Sequence, residues 1–370
     1  MPSDSSTLVE QDVSQDVSSP SSDALHLPPL DELIHAVETF SEACNWALPL
    51  FHIPTLLRLV HGWYSTPHQR TPVAWAAINV VLALAYHGGT DSRAAEYLSR
   101  AQSAMTAIIM DPNPELLNVQ VVVGMVAVFQ GAKDLQPALI LIATAMRLIH
   151  RLGIHSRRGL VGMDPVTAAQ CTRVFWVAYV LDKNLSLRVR VPSIQQDDDI
   201  DLDVPSDPSP LVTGPWNALD ANAIVRGSYL VNRVKLARIE GRVYDDMLSA
   251  RAQTWDITRR TCAALALLAD LEEWKAALPS PLKIDRVLDS VSSDLFRSLG
   301  MLHAASITCE LHIHIAHAHD DHWSSSLQQY VKDQDVQIAT GWQAPGLAQE
   351  SRRFMTLFKN VPNQDLAFRW

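Results

Sequence analysis

Lysine and arginine are absent from the first 24 residues of this 370-residue chain, and they dominate no stretch of five to eight residues anywhere in it. With 30 basic against 40 acidic residues the formal net charge is −10. A protein that grips a phosphate backbone shows a concentrated basic face instead, so direct nucleic-acid binding by this chain is not expected. The basic pairs Arg157-Arg158 and Arg259-Arg260 read as solvated helix ends, placed where cations suit the helix dipole. Cysteine is equally scarce. Cys44, Cys171, Cys262 and Cys309 stand far apart, which excludes a Cys-x-x-Cys zinc or redox pair. All four lie among apolar residues and are expected to be buried, reduced thiols, as in an intracellular compartment.

Other absences narrow the field further. The opening, "PSDSSTLVEQDVSQDVSSPSS" after Met1, has neither the basic nor the apolar region of a secretory signal. The longest apolar runs, such as Val73 to Tyr86, fall short of the roughly 18 to 20 residues that span a bilayer. A soluble protein is expected. Gly-x-Ser-x-Gly, Gly-x-Gly-x-x-Gly, a Walker loop and His-Glu-x-x-His are all missing, so neither nucleophilic catalysis nor a phosphate cradle nor a zincin site has a motif to stand on. No catalytic residue, metal ligand or cofactor is assigned. Alternating apolar and polar runs bounded by turn signals are missing too, which leaves strands little role.

What is present is helical periodicity. Residues 1 to 24, acidic and serine-rich, read as a disordered tail, and residues 25 to 370 as one all-α domain of roughly a dozen helices. Asp31 is the expected cap of the first of them. "LLNVQVVVGMVAVFQ" and "QPALILIATAMRLIHRLG" form an αα-hairpin in which Ala138, Leu141, Ile142, Ala145, Leu148, Ile149 and Leu152 make one apolar stripe and Gly153 a stop. Asp164-Pro165 opens the next helix, and Pro192 is expected to end it. From Pro192 to Pro215 the chain is a long loop rich in proline and aspartate. Helix then resumes near Leu219, and the last helix is expected over Pro345 to Lys359.

Two clusters ask for chemistry. The run Asp197, Asp198, Asp199, Asp201, Asp203 could hold a hard cation. An EF-hand loop needs glycine at its sixth position and glutamate at its twelfth, and these fall on Leu202 and Pro208, or on Val204 and Pro210. The run therefore reads as a structural or capping element, with Arg173, Arg188 and Arg190 as expected partners. The second cluster, His312, His314, His317, His319 and His322 with Glu310 and Asp321, has some spacing for a zinc or nickel site. Alternation with Ile and Ala turns successive imidazoles around the helix, and ordinary surface or half-buried histidines are the expectation. Phe175 and Trp176 read as core.

Three segments carry a resemblance: "AMRLIHRLGIHS" (Ala145 to Ser156), "RVFWVAYVLDKNLSL" (Arg173 to Leu187) and "VPSIQQDDDIDLDVP" (Val191 to Pro205). In order and residue type the chain resembles the fungal-specific transcription factor domain, the middle homology region of Zn₂Cys₆ regulators. Weaker likeness extends upstream to "LPLFHIPTL" and downstream to "EGRVYDDMLSA" and "LEEWKAALP". The resemblance implies an all-α regulatory domain of a nuclear transcription regulator, acting through partner regulators or a DNA-binding partner and through effector sensing, for a metabolic or biosynthetic gene set. The family's zinc cluster would lie N-terminal to this region, where no cysteine precedes Cys44, so DNA binding is not carried over. Where the family has Gly-Arg before the proline, this chain has Arg190-Val191, and the turn is expected to differ there. A helical enzyme or small-molecule binding protein of a biosynthetic pathway on the same scaffold is the alternative, and a degenerate chain the third reading.

Overall fold

The computed structural model describes residues 26–87, 93–204, 221–286, 295–318 and 351–356, and among these every regular element is a helix. The elements used below are α1 (Leu30–Phe40), α2 (Ile53–Ser65), α3 (Pro72–Ala85), α4 (Arg93–Ser103), α5 (Met105–Ile109), α6 (Leu116–Phe129), α7 (Gln136–Leu152), α8 (Arg157–Leu160), α9 (Pro165–Val189), α10 (Ala221–Val243), α11 (Ile257–Ala277) and α12 (Phe296–Ala318). None of the described helices is long and apolar enough to cross a membrane. The acidic tail expected over 1–24 lies outside the described residues, as does most of the expected last helix, of which 351–356 is helical.

The helices make two apolar clusters. The first joins α1 to α7 with α9. Its centre is α3, buried continuously from Ala74 to Leu84, against α6, buried from Asn118 to Val126. Small residues let these two approach closely: a Cβ added at Gly124 would stand 2.3 Å from Val80 Cγ1. The second cluster joins α10, α11 and α12, with Leu187 of α9 reaching into it. On α11 the buried positions Ala264, Leu267, Leu271 and Trp274 recur at helical spacing. Cys262 lies off that stripe and is exposed, against the expectation that all four thiols are buried; Cys44 is half-buried, Cys171 and Cys309 buried.

Local signals place most boundaries. Gly153 ends α7 in the left-handed conformation, φ 72°, which only glycine adopts without cost. Asp164 caps α9 by accepting from the amides of Val166 (3.0 Å) and Thr167 (3.1 Å). Two expectations fail. The cap position of α1 is Pro29, with Asp31 inside the first turn, where its charge suits the dipole without capping. The end of α9 precedes Pro192: Arg190 turns left-handed, φ 60°, and Val191 N bonds back to Ser186 O at 3.0 Å. Proline disfavours helix at the residue before it, so the chain has already left the helix when Pro192 arrives. An arginine thus stands in a backbone conformation that favours glycine.

One basic pair, Arg259-Arg260, sits at the other helix end from the one expected, while Arg157 and Arg158 occupy the single turn of α8 and so lie in its last turn too. Arg157 and Arg158 begin α8, and Arg259 and Arg260 lie in the first turn of α11. Specific partners outweigh the dipole there. Arg157 pairs with Asp203, Arg259 stacks 4.0 Å above the Trp255 ring, and Arg260 donates to Ala316 O.

Candidate functional site

The long helix α9 is the spine: every residue from Arg173 to Leu187 is buried. Phe175, Trp176 and Tyr179 are fully enclosed, with ring centroids 5.0 to 6.3 Å apart, so the core reading of Phe175 and Trp176 holds. A stretch buried on all sides must satisfy its own polar groups, and the residues after Pro192 do this. Asp182, 0% exposed, accepts from the amides of Ile194 (3.1 Å) and Gln195 (2.9 Å). Burial pushes its carboxyl above the usual range, and those two hydrogen bonds with Lys183 pull against the rise. Lys183 Nζ has acceptors at Gln195 O (2.8 Å), Ser193 Oγ (3.0 Å) and Asp197 Oδ1 (3.0 Å). These three acceptors match the three donors of a lysine head group.

The aspartate run fastens this loop to the spine. The Tyr179 hydroxyl donates to both Asp197 oxygens, at 2.9 and 3.1 Å. Burial, then the Asp197 charge, pushes the phenol far above its ordinary value. Asp201 accepts from the amide of Arg157 at 2.7 Å, Asp203 accepts from the Arg157 guanidinium at 2.5 Å, and Asp203 O accepts from the Trp176 indole at 2.9 Å. The structural or capping role expected of the run is what Asp197, Asp201 and Asp203 show, but their partners differ from the expected arginines. Arg188 donates to Gln130 O instead, and Arg190 supplies the turn. His150 bonds Gln195 Oε1 at 2.8 Å and lies face to face with His155, 4.4 Å between centroids. Burial and the neighbouring His150 lower the His155 pKa, with Asp199 and Asp201 opposing.

From the same helix a buried polar chain runs into the second cluster. Gln130 donates to Asn184 (3.4 Å), Asn184 to Glu240 (2.9 Å), and Arg233 to Glu240 through two bonds at 3.1 and 3.2 Å. Glu240 is 0% exposed and Arg233 5%. Sequence reasoning passed over Tyr179, Lys183, Arg233 and Glu240. The available signal was a charge of each sign seven residues apart, facing an apolar stripe that includes Val234 and Ala237.

Among the described residues the histidine cluster does not converge. His312 Nδ1 bonds Thr308 O of its own helix, His314 lies 3.7 Å from Glu310, and His317 reaches Thr261 of α11 at 3.2 Å. Glu310 is engaged by Lys275 at 2.7 Å. His319, Asp321 and His322 lie outside the described residues. Among the described residues no three His, Cys, Asp or Glu side chains are grouped to hold a metal ion.

This arrangement, an enclosed aromatic spine fastened by an aspartate loop, spans the three segments on which the resemblance rests. The family described as the fungal specific transcription factor domain matches residues 37–276. The chain belongs to that family. Its match takes in both ends of the junction, from α1 through α11. The domain is similar to the ABC-transporter-regulating transcription factor of Aspergillus oryzae, 32% identical over 359 residues that cover 93% of this chain and 40% of that protein. A protein of the same description from Aspergillus fumigatus is 31% identical, over 93% of this chain and 40% of the relative. The Fusaridione A cluster transcription factor of Fusarium heterosporum is 27% identical, over 73% and 52%. The chain thus spans about two-fifths to one-half of the length of these relatives. No solved structure matches the fungal transcription factor domain described here.

Proposed function

We propose that this chain is the regulatory part of a nuclear transcription regulator controlling a transport, metabolic or biosynthetic gene set, and that it is not an enzyme. The observation that carries the reading is the family match over residues 37–276, joined to relatives that are named as transcription factors for ABC transporters and for a biosynthetic cluster. The net charge of −10 favours contact with other regulators or a DNA-binding partner over direct contact with DNA. A small-molecule effector is the input, and the α9 junction is the element that carries a change at one cluster to the other, since its polar chain touches both. The relatives' names support this reading over the pathway-enzyme alternative.

The test is a fungal reporter strain expressing the chain fused to a heterologous DNA-binding domain. Reporter output should rise or fall at least severalfold against the DNA-binding domain alone, and a fluorescent fusion should collect in the nucleus. Output equal to that control, with the fusion intact and nuclear, would overturn the regulator reading.

A further inference from the structure

The segment "LPLFHIPTL", Leu48 to Leu56, has no part in the junction, yet the fold fixes it with unusual care. Asn45 brackets Phe51, donating to its carbonyl (2.8 Å) and accepting from its amide (3.0 Å). Gln120 of α6 and Gln170 of α9 both turn their amide nitrogens to Leu50 O, at 2.7 and 2.8 Å. A carbonyl only accepts, so each glutamine must present its NH₂ to Leu50 and leaves its Oε1 acceptor over. No hydrogen bond reaches either Oε1 among the described residues, and neither atom is one of the fully enclosed unsatisfied atoms. Both side chains are more than nine-tenths buried and both line a cleft of about 520 Å³ between α2, α6 and α9.

The rest of the lining is apolar where it is deep and polar where it is shallow. Phe51 and Leu56 are buried and Leu59, Leu116 and Leu117 half-buried, while Arg58, Gln69 and Glu115 stand exposed at the rim with Val166. The volume lies within the roughly 300–1,000 Å³ of small-molecule sites. Unfilled acceptors at an apolar floor select a ligand that brings a donor there. Net charge is not demanded, because the rim carries one charge of each sign, Arg58 and Glu115, and burial with the nearby Arg173 and Arg58 charges lowers the His52 pKa.

We propose that this cleft is a ligand site for an uncharged, largely apolar small molecule that carries a hydroxyl or N–H donor at its buried end, received by the Gln120 and Gln170 carbonyl oxygens. The proposal rests on the effector-sensing reading above for its role, but not for its chemistry. Occupancy would brace the N-terminal end of α9 against α2 and α6.

The experiment uses the full chain and a matched pair of compounds, 4-phenylphenol and its O-methyl ether 4-methoxybiphenyl, followed by calorimetry. Their apolar bodies are alike, and only the phenol can donate. The phenol should bind about tenfold more tightly, and Val166→Trp at the rim should abolish its binding while the melting temperature of the free protein is kept. Should Val166→Trp fail to fold, Gln69→Trp repeats the test from another rim position. Equal binding of both compounds, binding of neither, or phenol binding unchanged by a folded rim variant would each overturn the site. The reporter strain separates the two ideas: phenol bound by the wild type and lost in Val166→Trp, with reporter output indifferent to phenol in both, would keep the site and remove effector sensing.

Discussion

The two halves of the domain bury different kinds of polar residue. From α1 to α7 the buried polar side chains are amides: Asn45, Asn79, Asn118, Gln120 and Gln130. From α10 to α12 they include Arg233, Glu240, His303, Glu310 and His312. A neutral amide needs only a partner with the right geometry, whereas a buried ion or imidazole also needs the right protonation state. The first half therefore buries neutral amides, and pH reaches it through half-buried groups such as His87, whose pKa burial lowers. The second is tuned by ionisable groups, and α9 lies between them.

The comparison breaks most readily at Glu240. Glu240→Ala leaves the Arg233 guanidinium enclosed without its carboxylate, and about 3–5 kcal/mol of stability should go; replacing both partners by apolar residues should recover most of it. Urea denaturation of the two variants reads this, and a loss under about 1 kcal/mol in the single variant would refute the contrast.

A slightly smaller effect comes from acid. His303 is enclosed and donates through Nε2 to Leu282 O at 2.9 Å; burial, the Leu282 bond and Asp285 opposing it and Lys275 adding to it, leaves its pKa lowered to about 4. Because the unfolded imidazole takes a proton near 6.5 and the folded one only near 4, the unfolded state binds more protons between those values. Stability is full above about 6.5 and falls with pH toward 4, by an amount on the order of 3 kcal/mol. Amide exchange at pH 4.5 should open α12 and α11 before α3 and α6, and His303→Gln should flatten that dependence.

In the first half the sensitive quantity is volume. Gly124→Ala puts a methyl 2.3 Å from Val80 Cγ1, and overpacking should cost about 1–3 kcal/mol at any pH, despite the better helix propensity of alanine. A thermal melt that rises instead would show that α3 and α6 can move apart. Smallest is Arg190→Gly, which relieves a left-handed arginine but frees the unfolded chain. A gain of up to about 1 kcal/mol is expected, and a clear loss would show that the Arg190 side chain has a role of its own.

How much of this the sequence disclosed follows from separation along the chain. The α6–α7 hairpin and the start of α9 were legible because Gly153, Asp164 and Pro165 act on residues within a turn of themselves. The aspartate loop was legible as a capping element, since its acids follow directly on the loop that leaves the helix they fasten and charged loop residues readily bond free backbone groups. Its partners were not: Arg157 stands 46 residues from Asp203, and three nearer arginines had equal standing on paper. The Leu50 clasp was hidden further, for Gln120 and Gln170 lie 70 and 120 residues away, and a glutamine inside a helix announces nothing about the carbonyl it meets. The pair Arg259-Arg260 misled for a related reason, because a dipole preference of a few tenths of a kcal/mol to about 1 kcal/mol yields to one well-placed ring or carbonyl.

The helix α10 has a consequence for how the molecule could be divided. Leu230, Val234 and Ala237 sit in the first apolar cluster while Leu236, Ile239 and Val243 sit in the second, and Arg238 lies over the Trp176 ring at 5.6 Å. One strut thus carries the mating surface for a half to which it does not otherwise belong. Residues 1–204 and 221–370, made as separate polypeptides, should recognise each other in solution and reconstitute the fold, in the manner of a split reporter whose pieces need no tether.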